Sequence, residues 1–155
     1  MIKSIEGNFD HPEVNELLKK HFVELKAASP EGSAHVLDIP GLKTSSIKFW
    51  SLWKNKKLLG CGALKLIDKE HGEFKSIRIH DDFRNQGNGI KVINHLILEA
   101  KRLNIKRLSI ETGSGKFFEP ARKLFKKCGF TPCKPFAHYK DDANSVYLSK
   151  KIDTN

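Results

Sequence analysis

Two periods of hydrophobicity run along this chain: apolar residues recur every three to four positions in some segments and alternate with polar residues in others. A short strand is predicted at residues 1–5. A helical pattern follows, beginning near Asp10 and ending near Ala28, with apolar residues at Val14, Leu17, Leu18, Phe22 and Leu25. Asp10 is placed to cap this helix, with Glu13 reaching back to it. The Ser, Pro and Gly residues within 29–46 predict a loop with one helical turn.

Strand patterns dominate the next part of the chain. Residues 47–53 and 58–67 are rich in apolar positions, and the polar turn at 54–56 between them predicts a β-hairpin. A second turn at 68–71 leads into 72–80, which alternates well enough for a third antiparallel strand. Together these segments predict an antiparallel meander.

The pattern then changes from strand to helix. A helix opens at Gly87 and is followed by a strand at 107–111. The apolar stripe of this helix consists of Ile90, Ile93, Leu96, Ile97, Ala100 and Leu103. A strand, a helix and a strand at this spacing predict a right-handed parallel crossover.

The last part of the chain completes the predicted fold. A second helix at 117–128 stops at Gly129, a residue typical of helix C-termini, and strands are expected near 130–136 and 145–150. No repeat or linker divides the sequence, so residues 1–155 are predicted to form a single domain. The fold class is α+β (α/β), built on a mixed central sheet.

The segment Arg84–Gly89 lies between a predicted strand and a predicted helix, and it carries the most informative chemistry of the chain. The start of a helix exposes unpaired N–H groups and the positive end of the helix dipole, so it binds anions. Gly87 and Gly89 lack a Cβ, which is expected to let phosphate oxygens reach the main chain. The segment therefore predicts a phosphate site.

Two common nucleotide-binding motifs are excluded by single residues. A dinucleotide-binding G-x-G-x-x-G beginning at Gly87 requires a third glycine where Val92 stands. The segment Thr112–Lys116 resembles part of the phosphate loop of nucleoside triphosphatases, but Ile110 replaces its first glycine and Phe117 replaces its Ser or Thr. A kinase or an NTPase is not expected.

What remains is an R-x-x-G-x-G motif, which resembles the pyrophosphate-binding motif Q/R-x-x-G-x-G/A of the GNAT superfamily of N-acetyltransferases. The strand at 72–80 and the helix end at 123–130 occupy the positions expected in that family, and the resemblance spans about residues 47–152. It implies a single-domain acyl-CoA N-acyltransferase fold, in which a mixed sheet combines an antiparallel meander, a parallel β-α-β crossover and flanking helices. It also implies acetyl-CoA as cosubstrate, no metal, and direct transfer of an acetyl group to a primary amine of a small molecule or peptide.

The resemblance also implies where acetyl-CoA binds. In the family, the pantetheine arm lies in a gap between two splayed core strands and pairs with main chain, while the pyrophosphate sits on the helix start. The N–H groups of that strand are expected to polarise the acetyl carbonyl. The coenzyme-binding residues expected here are Ile77, Arg78, Ile79, Arg84, Asn85, Gln86, Gly87, Asn88, Gly89 and Ile90.

A protonated amine acceptor needs a base before it can attack. Glu73 is the first candidate, because it lies eleven positions before Arg84, where many family members carry a glutamate. Glu111, at the end of the parallel strand, is the second candidate. A surface or salt-bridged role is the alternative for both carboxylates.

A general acid for the thiolate leaving group is less clear from sequence. Many family members place a tyrosine near the end of the second helix, the one predicted here at 117–128, and this chain has Phe125 there. Tyr139 and Tyr147 are the alternatives in the tail. The missing tyrosine keeps a second hypothesis open, that of a catalytically impaired sensor that binds coenzyme A.

The charge balance adds one further alternative. The formal net charge is +10 and the pI is about 9.6. Lysines and arginines are scattered rather than massed, and no zinc-finger or RNA-binding signature accompanies them. Nucleic-acid binding is therefore the less favoured hypothesis, and attraction of an anionic coenzyme is the favoured use of the positive field.

Composition also sets expectations for location and assembly. No apolar run approaches the roughly 20 residues that span a bilayer, and no signal-peptide pattern is present, so a cytoplasmic protein without membrane contact is expected. The three cysteines, Cys61, Cys128 and Cys133, are an odd number without a C-x-x-C pair, which indicates reduced thiols. A homodimer paired through an exposed strand is a further expectation.

Overall fold

A seven-stranded mixed sheet forms the centre of the molecule in the computed structural model, which describes residues 1–152. The strands are β1 (Lys3–Glu6), β2 (Ile47–Lys54), β3 (Lys57–Leu66), β4 (His71–Ile79), β5 (Arg107–Gly113), β6 (Thr131–Pro132) and β7 (Ser145–Lys151). Their spatial order is β1-β2-β3-β4-β5-β7-β6. β4 and β5 are parallel, whereas the other neighbouring pairs are antiparallel.

Helices cover both faces of the sheet. α1 (Pro12–Ala28) and the short α2 (Ile39–Leu42) pack on one face, and α3 (Asn88–Arg102) and α4 (Glu119–Lys127) pack on the other. Short 3₁₀ turns at Asp81–Phe83 and Lys116–Phe118 precede α3 and α4. The α3 side holds the larger apolar core, which includes Trp50, Leu64, Phe74, Ile93, Leu96, Leu108, Phe125 and Phe130. The α1 side holds a smaller core, which includes Val14, Leu18, Leu42, Phe49, Trp53 and Ala63.

A β-bulge in β4 determines which of its side chains face each layer. Cys61 pairs with Arg78 and Ala63 pairs with Lys75, so two residues of β4 lie opposite one residue of β3. Ser76 lies within this bulge with a φ of 53°. A bulge adds one residue to a strand and interrupts the regular alternation of side chains between the two faces of a sheet.

The interrupted alternation sends apolar and charged residues to opposite layers. Phe74, Ile77 and Ile79 all pack toward the core on the α3 side. Arg78 instead extends to the α1 side, where its guanidinium contacts Glu24. The bulge thus places a buried cation beneath α1 just where the strand approaches its end.

β4 and β5 pair only at their beginnings. Their parallel ladder consists of His71 with Arg107, Gly72 with Leu108, and Glu73 with Ser109. Beyond these pairs β4 continues to Ile79 and β5 continues to Gly113, but the two strands no longer match. A gap therefore opens on the sheet directly after Glu73.

The predicted architecture is confirmed in its main parts. The meander, the parallel crossover and the helical turn inside the loop at 29–46 are present, and Gly87 is the N-cap of α3 with a φ of 79°. Among residues 1–152, no helix is both long and apolar enough to cross a membrane.

The start of α1 differs from the prediction that Asp10 caps it. His11 is the N-cap, and its Nδ1 accepts a hydrogen bond from the backbone N–H of Glu13 at 3.2 Å. An imidazole nitrogen performs here the task that a short oxygen-bearing side chain more often performs.

Two elements near the end of the chain are shorter than predicted, and proline explains both. The helix predicted at 117–128 begins at Glu119 with Pro120 in its first turn, where a missing N–H is tolerated. The strand predicted at 130–136 contracts to Thr131–Pro132, because Pro132 and Pro135 cannot donate to a strand ladder.

The predicted apolar stripe of α3 is wrong at one residue, Ile90, which was expected to be buried. Ile90 is 38% exposed, and Val92 is fully buried in its place.

Candidate functional site

A cleft of about 530 Å³ opens where β4 and β5 part. Its floor is the strand segment from Glu73 to Ile79, and its walls come from α1, the loop before α2, the start of α3, and α4. At one end lie Arg84, Asn85 and Gly87, and at the other lie His35 and Glu111. The cleft therefore connects the predicted phosphate site with both candidate bases.

The phosphate end has the geometry of an anion site. Gly87 adopts a left-handed conformation, and no side chain caps the first turn of α3. A Cβ built on Gly87 would meet no atom within 4 Å, so the approach to the backbone is open. Arg84, Lys123 and Lys127 line this end and contribute positive charge. Free N–H groups, the helix dipole and nearby cations together favour an anionic ligand.

Gly89 serves packing rather than access. A Cβ at this position would lie 2.7 Å from Cδ2 of Leu124 on α4, so the missing side chain lets the two helices approach each other. The sequence-based reason for Gly89, that it lets phosphate oxygens reach the main chain, is therefore wrong. Its neighbour Asn88 is buried and donates a hydrogen bond from Nδ2 to the carbonyl of Phe83 at 3.0 Å. That bond ties the loop to the start of α3.

Glu73 is buried at the head of the gap, with 2% of its surface exposed. Its Oε2 accepts a hydrogen bond from the hydroxyl of Tyr139 at 2.6 Å and another from Nζ of Lys75 at 3.3 Å. Lys75 also donates to the Tyr139 oxygen at 3.2 Å. Within residues 1–152, Oε1 of Glu73 makes no hydrogen bond. Both hydrogen bonds are thus made by the same carboxylate oxygen.

Glu111 lies across the gap on β5 and is only partly exposed. The hydroxyl of Ser145 donates a hydrogen bond to its Oε2 at 2.7 Å. Burial raises the pKa of Glu111, and the Ser145 hydrogen bond and the charges of His35 and Lys75 counteract part of that rise. A carboxyl group whose pKa is raised binds a proton more readily than an ordinary one.

A charged network joins β4, at the floor of the cleft, to α1. Arg78 is buried, and its Nη2 donates to Glu24 at 3.1 Å and to Asp81 at 3.2 Å. Asp81 is also bonded by Lys20, and this bond, followed by the nearby arginines, lowers the pKa of Asp81. The network anchors β4 to α1 through ion pairs that are partly screened from water.

His21 lies in the same layer and lines the cleft. Only 6% of its surface is exposed, and its Nδ1 has no hydrogen-bond partner within residues 1–152. Burial, followed by the charges of Arg78 and Arg84, lowers the pKa of His21 to about 3. The imidazole is therefore neutral at physiological pH.

The aromatic residues near the site have separate tasks. Phe125 lines the cleft and is buried against Phe130, with 6.1 Å between the ring centroids, so this position offers no hydroxyl. The hydroxyl of Tyr147 is occupied by the carbonyl of Lys140 at 2.7 Å. Tyr139 is the tyrosine whose hydroxyl reaches a candidate base.

The structure brings the predicted site residues together along one cleft. Ile77, Arg78 and Ile79 form its floor, and Glu73 and Glu111 lie on opposite sides of the gap. The remaining predicted residues belong to the phosphate end, where Arg84, Asn85, Gly87, Gly89 and Ile90 line the cleft. Gln86 instead donates a hydrogen bond from its side chain to the carbonyl of Asp82.

Sequence reasoning missed the immediate surroundings of Glu73. Lys75 could have been found, because residues two apart on a strand share a face. The hydrogen bond from Tyr139 had no such signal, since this residue comes from an irregular segment between β6 and β7. Within residues 1–152, no cluster of three or more His, Cys, Asp or Glu side chains is placed to hold a metal ion.

Comparisons with known proteins agree with this geometry. A family model described as the acetyltransferase (GNAT) family matches residues 12–130. The uncharacterized N-acetyltransferase YsnE of Bacillus subtilis is 44% identical over 140 residues, which cover 90% of this chain and 93% of the relative. The uncharacterized N-acetyltransferase YedL of Escherichia coli is 37% identical over 145 residues, which cover 94% and 91%.

A solved structure shows the same fold. A GNAT family acetyltransferase from Elizabethkingia anophelis with acetyl-CoA bound superposes with a TM-score of 0.68 at 23% identity, covering 97% of this chain and 98% of that one. The mixed seven-stranded sheet with flanking helices is therefore an acyl-CoA N-acyltransferase fold.

Proposed function

The chain belongs to the GNAT family of acetyltransferases, and we propose that it transfers an acetyl group from acetyl-CoA directly to a primary amine of a small molecule or peptide. The observation that carries this proposal is the position of Glu73, which is buried at the head of the gap between β4 and β5 with Oε1 free of hydrogen bonds to residues 1–152. Bound there, acetyl-CoA would supply the activated acyl group.

The chain's own residues fit an anionic coenzyme. The start of α3 offers N–H groups that no side chain caps, and Gly87 leaves the approach open. β4 beyond Glu73 has no strand partner on the β5 side, so its main chain is available to pair with an extended ligand. Ile77, Arg78 and Ile79 are the proposed pairing residues, and the phosphates would lie on Asn85 to Ile90.

Glu73 is the proposed base. Its fixed oxygen holds the carboxylate in place, and its free oxygen can accept a proton from an amine that enters from the acceptor end of the cleft. Glu111 lies at that same end, where its carboxylate would help to hold the amine or would take the proton instead. His35 and the loop around it would form the acceptor wall.

The first experiment measures release of the coenzyme thiol when acetyl-CoA is mixed with panels of amines and peptides. Turnover with an amine, accompanied by an acetylated product in the mass spectrum, is the expected result. Tight binding of coenzyme without turnover across a broad panel would favour the competing hypothesis of a sensor, for which Phe125 in place of a tyrosine is the motivating observation.

The placement of the phosphates has a matched test. Gly87→Glu puts a carboxylate at the open approach to α3, whereas Gly87→Gln introduces the same strain at a φ of 79° without the charge. We expect the glutamate variant to bind acetyl-CoA at least about tenfold more weakly than the glutamine variant, since like charges would lie in close contact. Equal affinities, measured by titration calorimetry, would contradict the proposed phosphate site.

Location and assembly follow as subsidiary proposals. We expect a cytoplasmic enzyme, in keeping with the use of acetyl-CoA. The proposed homodimer pairs at the sheet edges, where β1 has four residues and β6 has two. β6 covers β7 only beside Leu148 and Ser149, which leaves part of β7 for a partner. Size-exclusion chromatography with light scattering measures the mass of the protein in solution, and the mass of a monomer would refute the proposed homodimer.

A further inference from the structure

We propose that Tyr139 is a positioning residue for Glu73: its hydroxyl fixes Oε2 so that Oε1 is presented to the acceptor amine. This inference rests on the proposed function of Glu73 as base. It gives the irregular segment between β6 and β7 a part in catalysis, because that segment supplies Tyr139.

The geometry of the contact carries the inference. The Tyr139 hydroxyl lies 2.6 Å from Oε2 of Glu73, which is a short hydrogen bond to a charged acceptor. Glu73 is 2% exposed and lines the cleft, whereas Tyr139 is not among the cleft residues. The phenol therefore holds the carboxylate from behind, and it does not compete with a ligand for Oε1.

Tyr139 is itself held by other rings. Its ring centroid lies 5.1 Å from Phe136, 5.7 Å from Tyr147 and 5.2 Å from His35. Phe136 also contacts Tyr147, at 6.0 Å. Rings packed in edge and tilted arrangements fix the direction of the hydroxyl, so the hydrogen bond does not depend on a mobile side chain.

The phenol of Tyr139 keeps its proton, and so remains a hydrogen-bond donor, well above the pH at which an ordinary tyrosine ionises. Burial raises the pKa of Tyr139 far above its usual range, and the negative charge of Glu73 and the hydrogen bond to it raise the pKa further. A protonated phenol contributes a hydrogen bond without a charge. It can therefore orient the carboxylate without neutralising its charge. A second lysine would neutralise that charge.

The charged groups around Glu73 act on the carboxylate together with the hydrogen bond from Tyr139. On its own strand Lys75 makes an ion pair with Oε2 and His71 lies nearby, and from β5 Glu111 adds negative charge. α1 turns its charges elsewhere: Lys20 contacts Asp81, and Glu24 contacts Arg78. Lys75 is the other group bonded to Oε2, at the longer distance of 3.3 Å.

The chain offers a matched pair of variants. Tyr139→Phe removes the hydroxyl and keeps the ring. Tyr147→Phe makes the same change on the adjacent ring, where the hydroxyl donates to the carbonyl of Lys140. For Tyr139→Phe we expect kcat to fall about tenfold to a hundredfold while acetyl-CoA affinity is unchanged, in line with loss of a hydrogen bond to a charged group.

The pH dependence of kcat/KM distinguishes a positioning role of Tyr139 from a general loss of structural order in the variant. Without the phenol, the ionised carboxylate loses a donor, so the acid limb of kcat/KM is expected to move to higher pH in Tyr139→Phe. For Tyr147→Phe, the acid limb of kcat/KM is expected to lie at the same pH as in the unmodified protein. Identical profiles for all three proteins, or equal displacements for both variants, would overturn the inference.

A second measurement does not depend on turnover. The chain has two tyrosines, so Tyr147→Phe leaves Tyr139 as the only phenol, and its ionisation can be followed by tyrosinate absorbance. We expect Glu73→Gln in this background to lower the pKa of Tyr139, because the negatively charged hydrogen-bond acceptor has been removed. Unchanged titration over the pH range in which circular dichroism shows both proteins to be folded would show that the hydrogen bond is absent, whatever the activity. A changed titration in a protein that acetylates no amine would refute the proposed function and leave the contact intact.

Discussion

At the scale of single residues, Glu73 and Glu111 face the same cleft from different surroundings. Oε2 of Glu73 is bonded by Tyr139 and Lys75, whereas Glu111 is bonded by the neutral hydroxyl of Ser145. A carboxylate with two donors is held in one orientation, which suits a base that must meet its proton at a fixed point.

Replacing each carboxylate by its amide tests this assignment. We expect Glu73→Gln to lower kcat by about a hundredfold or more, the usual contribution of general base catalysis, while acetyl-CoA affinity stays the same. Glu111→Gln is expected to cost less and to act mainly on the KM of the amine. Steady-state kinetics and coenzyme titration of both variants give the answer. A larger loss of kcat in Glu111→Gln would transfer the role of base to Glu111.

His21 makes stability depend on pH in a defined direction. Its pKa is lowered to about 3 in the fold by burial and by the charges of Arg78 and Arg84. Below the ordinary pKa of histidine, His21 is protonated in the unfolded chain but stays neutral in the folded protein. The free energy of unfolding therefore falls as the pH decreases from about 6.5 toward 3. The slope from this group is about 1.4 kcal/mol per pH unit.

The His21 prediction is checked by urea unfolding at several pH values. His21→Gln keeps a polar side chain that does not titrate, and we expect it to flatten the slope between about pH 6 and pH 4. His138→Gln, at an exposed position, serves as the control and is expected to leave the slope unchanged. If the His21 variant keeps the full slope, other groups cause the acid sensitivity.

The sequence predicted residues whose role follows from local pattern. Glu73 was expected from the family resemblance, which implies a glutamate eleven positions before Arg84, and Gly87 from its position at a helix start. Gly89 was assigned a wrong reason, because its contact with Leu124 depends on how α3 and α4 pack. The hydrogen bond between Tyr139 and Glu73 joins residues 66 positions apart, and no period or motif connects them.

At the scale of elements, β4 concentrates the features that build the site. Its bulge directs Arg78 to α1, its early separation from β5 opens the gap, and its first half carries Glu73. The strand itself was predicted from alternation, but the bulge, which breaks the alternation between Phe74 and Ile77, was not. The antiparallel meander and the parallel crossover were predicted from element order and chirality.

The contact between β3 and α3 depends on a missing side chain. A Cβ on Gly62 would lie 2.4 Å from Cδ1 of Leu96, which is fully buried. We expect Gly62→Ala to destabilise the fold by about 1–3 kcal/mol, the usual cost of overpacking. In Gly62→Ala with Leu96→Ala, the added methyl group occupies space that the shorter side chain vacates.

A double-mutant cycle measures that coupling. The summed losses of the single variants are expected to exceed the loss in the double variant by about 1 kcal/mol or more, determined from denaturant unfolding. Strict additivity would mean that Leu96 moves aside without cost and that Gly62 is not required by the packing of α3.

At the scale of the whole molecule, the two faces of the sheet serve different purposes. The α3 side holds the larger apolar core and carries the phosphate end of the cleft, whereas the α1 side carries the ion pairs around Arg78 and the acceptor end. The donor half was predictable from a motif. The acceptor half comes from loops without a readable pattern, so its chemistry had to be read from contacts.

The formal net charge of +10 acts unevenly on an anionic ligand. Lys123 and Lys127 line the phosphate end of the cleft, whereas Lys56 and Lys57 lie at the turn between β2 and β3. Charges farther than about 10 Å from a ligand are largely screened at 0.1 M salt. A local field should therefore steer acetyl-CoA more strongly than the total charge does.

Two double variants with the same loss of charge separate these effects. We expect changing Lys123 and Lys127 to glutamine to slow acetyl-CoA association about tenfold at low salt, and changing Lys56 and Lys57 to glutamine to have little effect. In stopped-flow measurements at increasing salt, the association rates of the two variants and the unmodified protein are expected to converge, because salt screens the charges of Lys123 and Lys127. Equal slowing in both variants would mean that only total charge matters. In that case, salt-dependent binding of DNA or RNA that survives saturation with acetyl-CoA would become the better explanation of the basic surface.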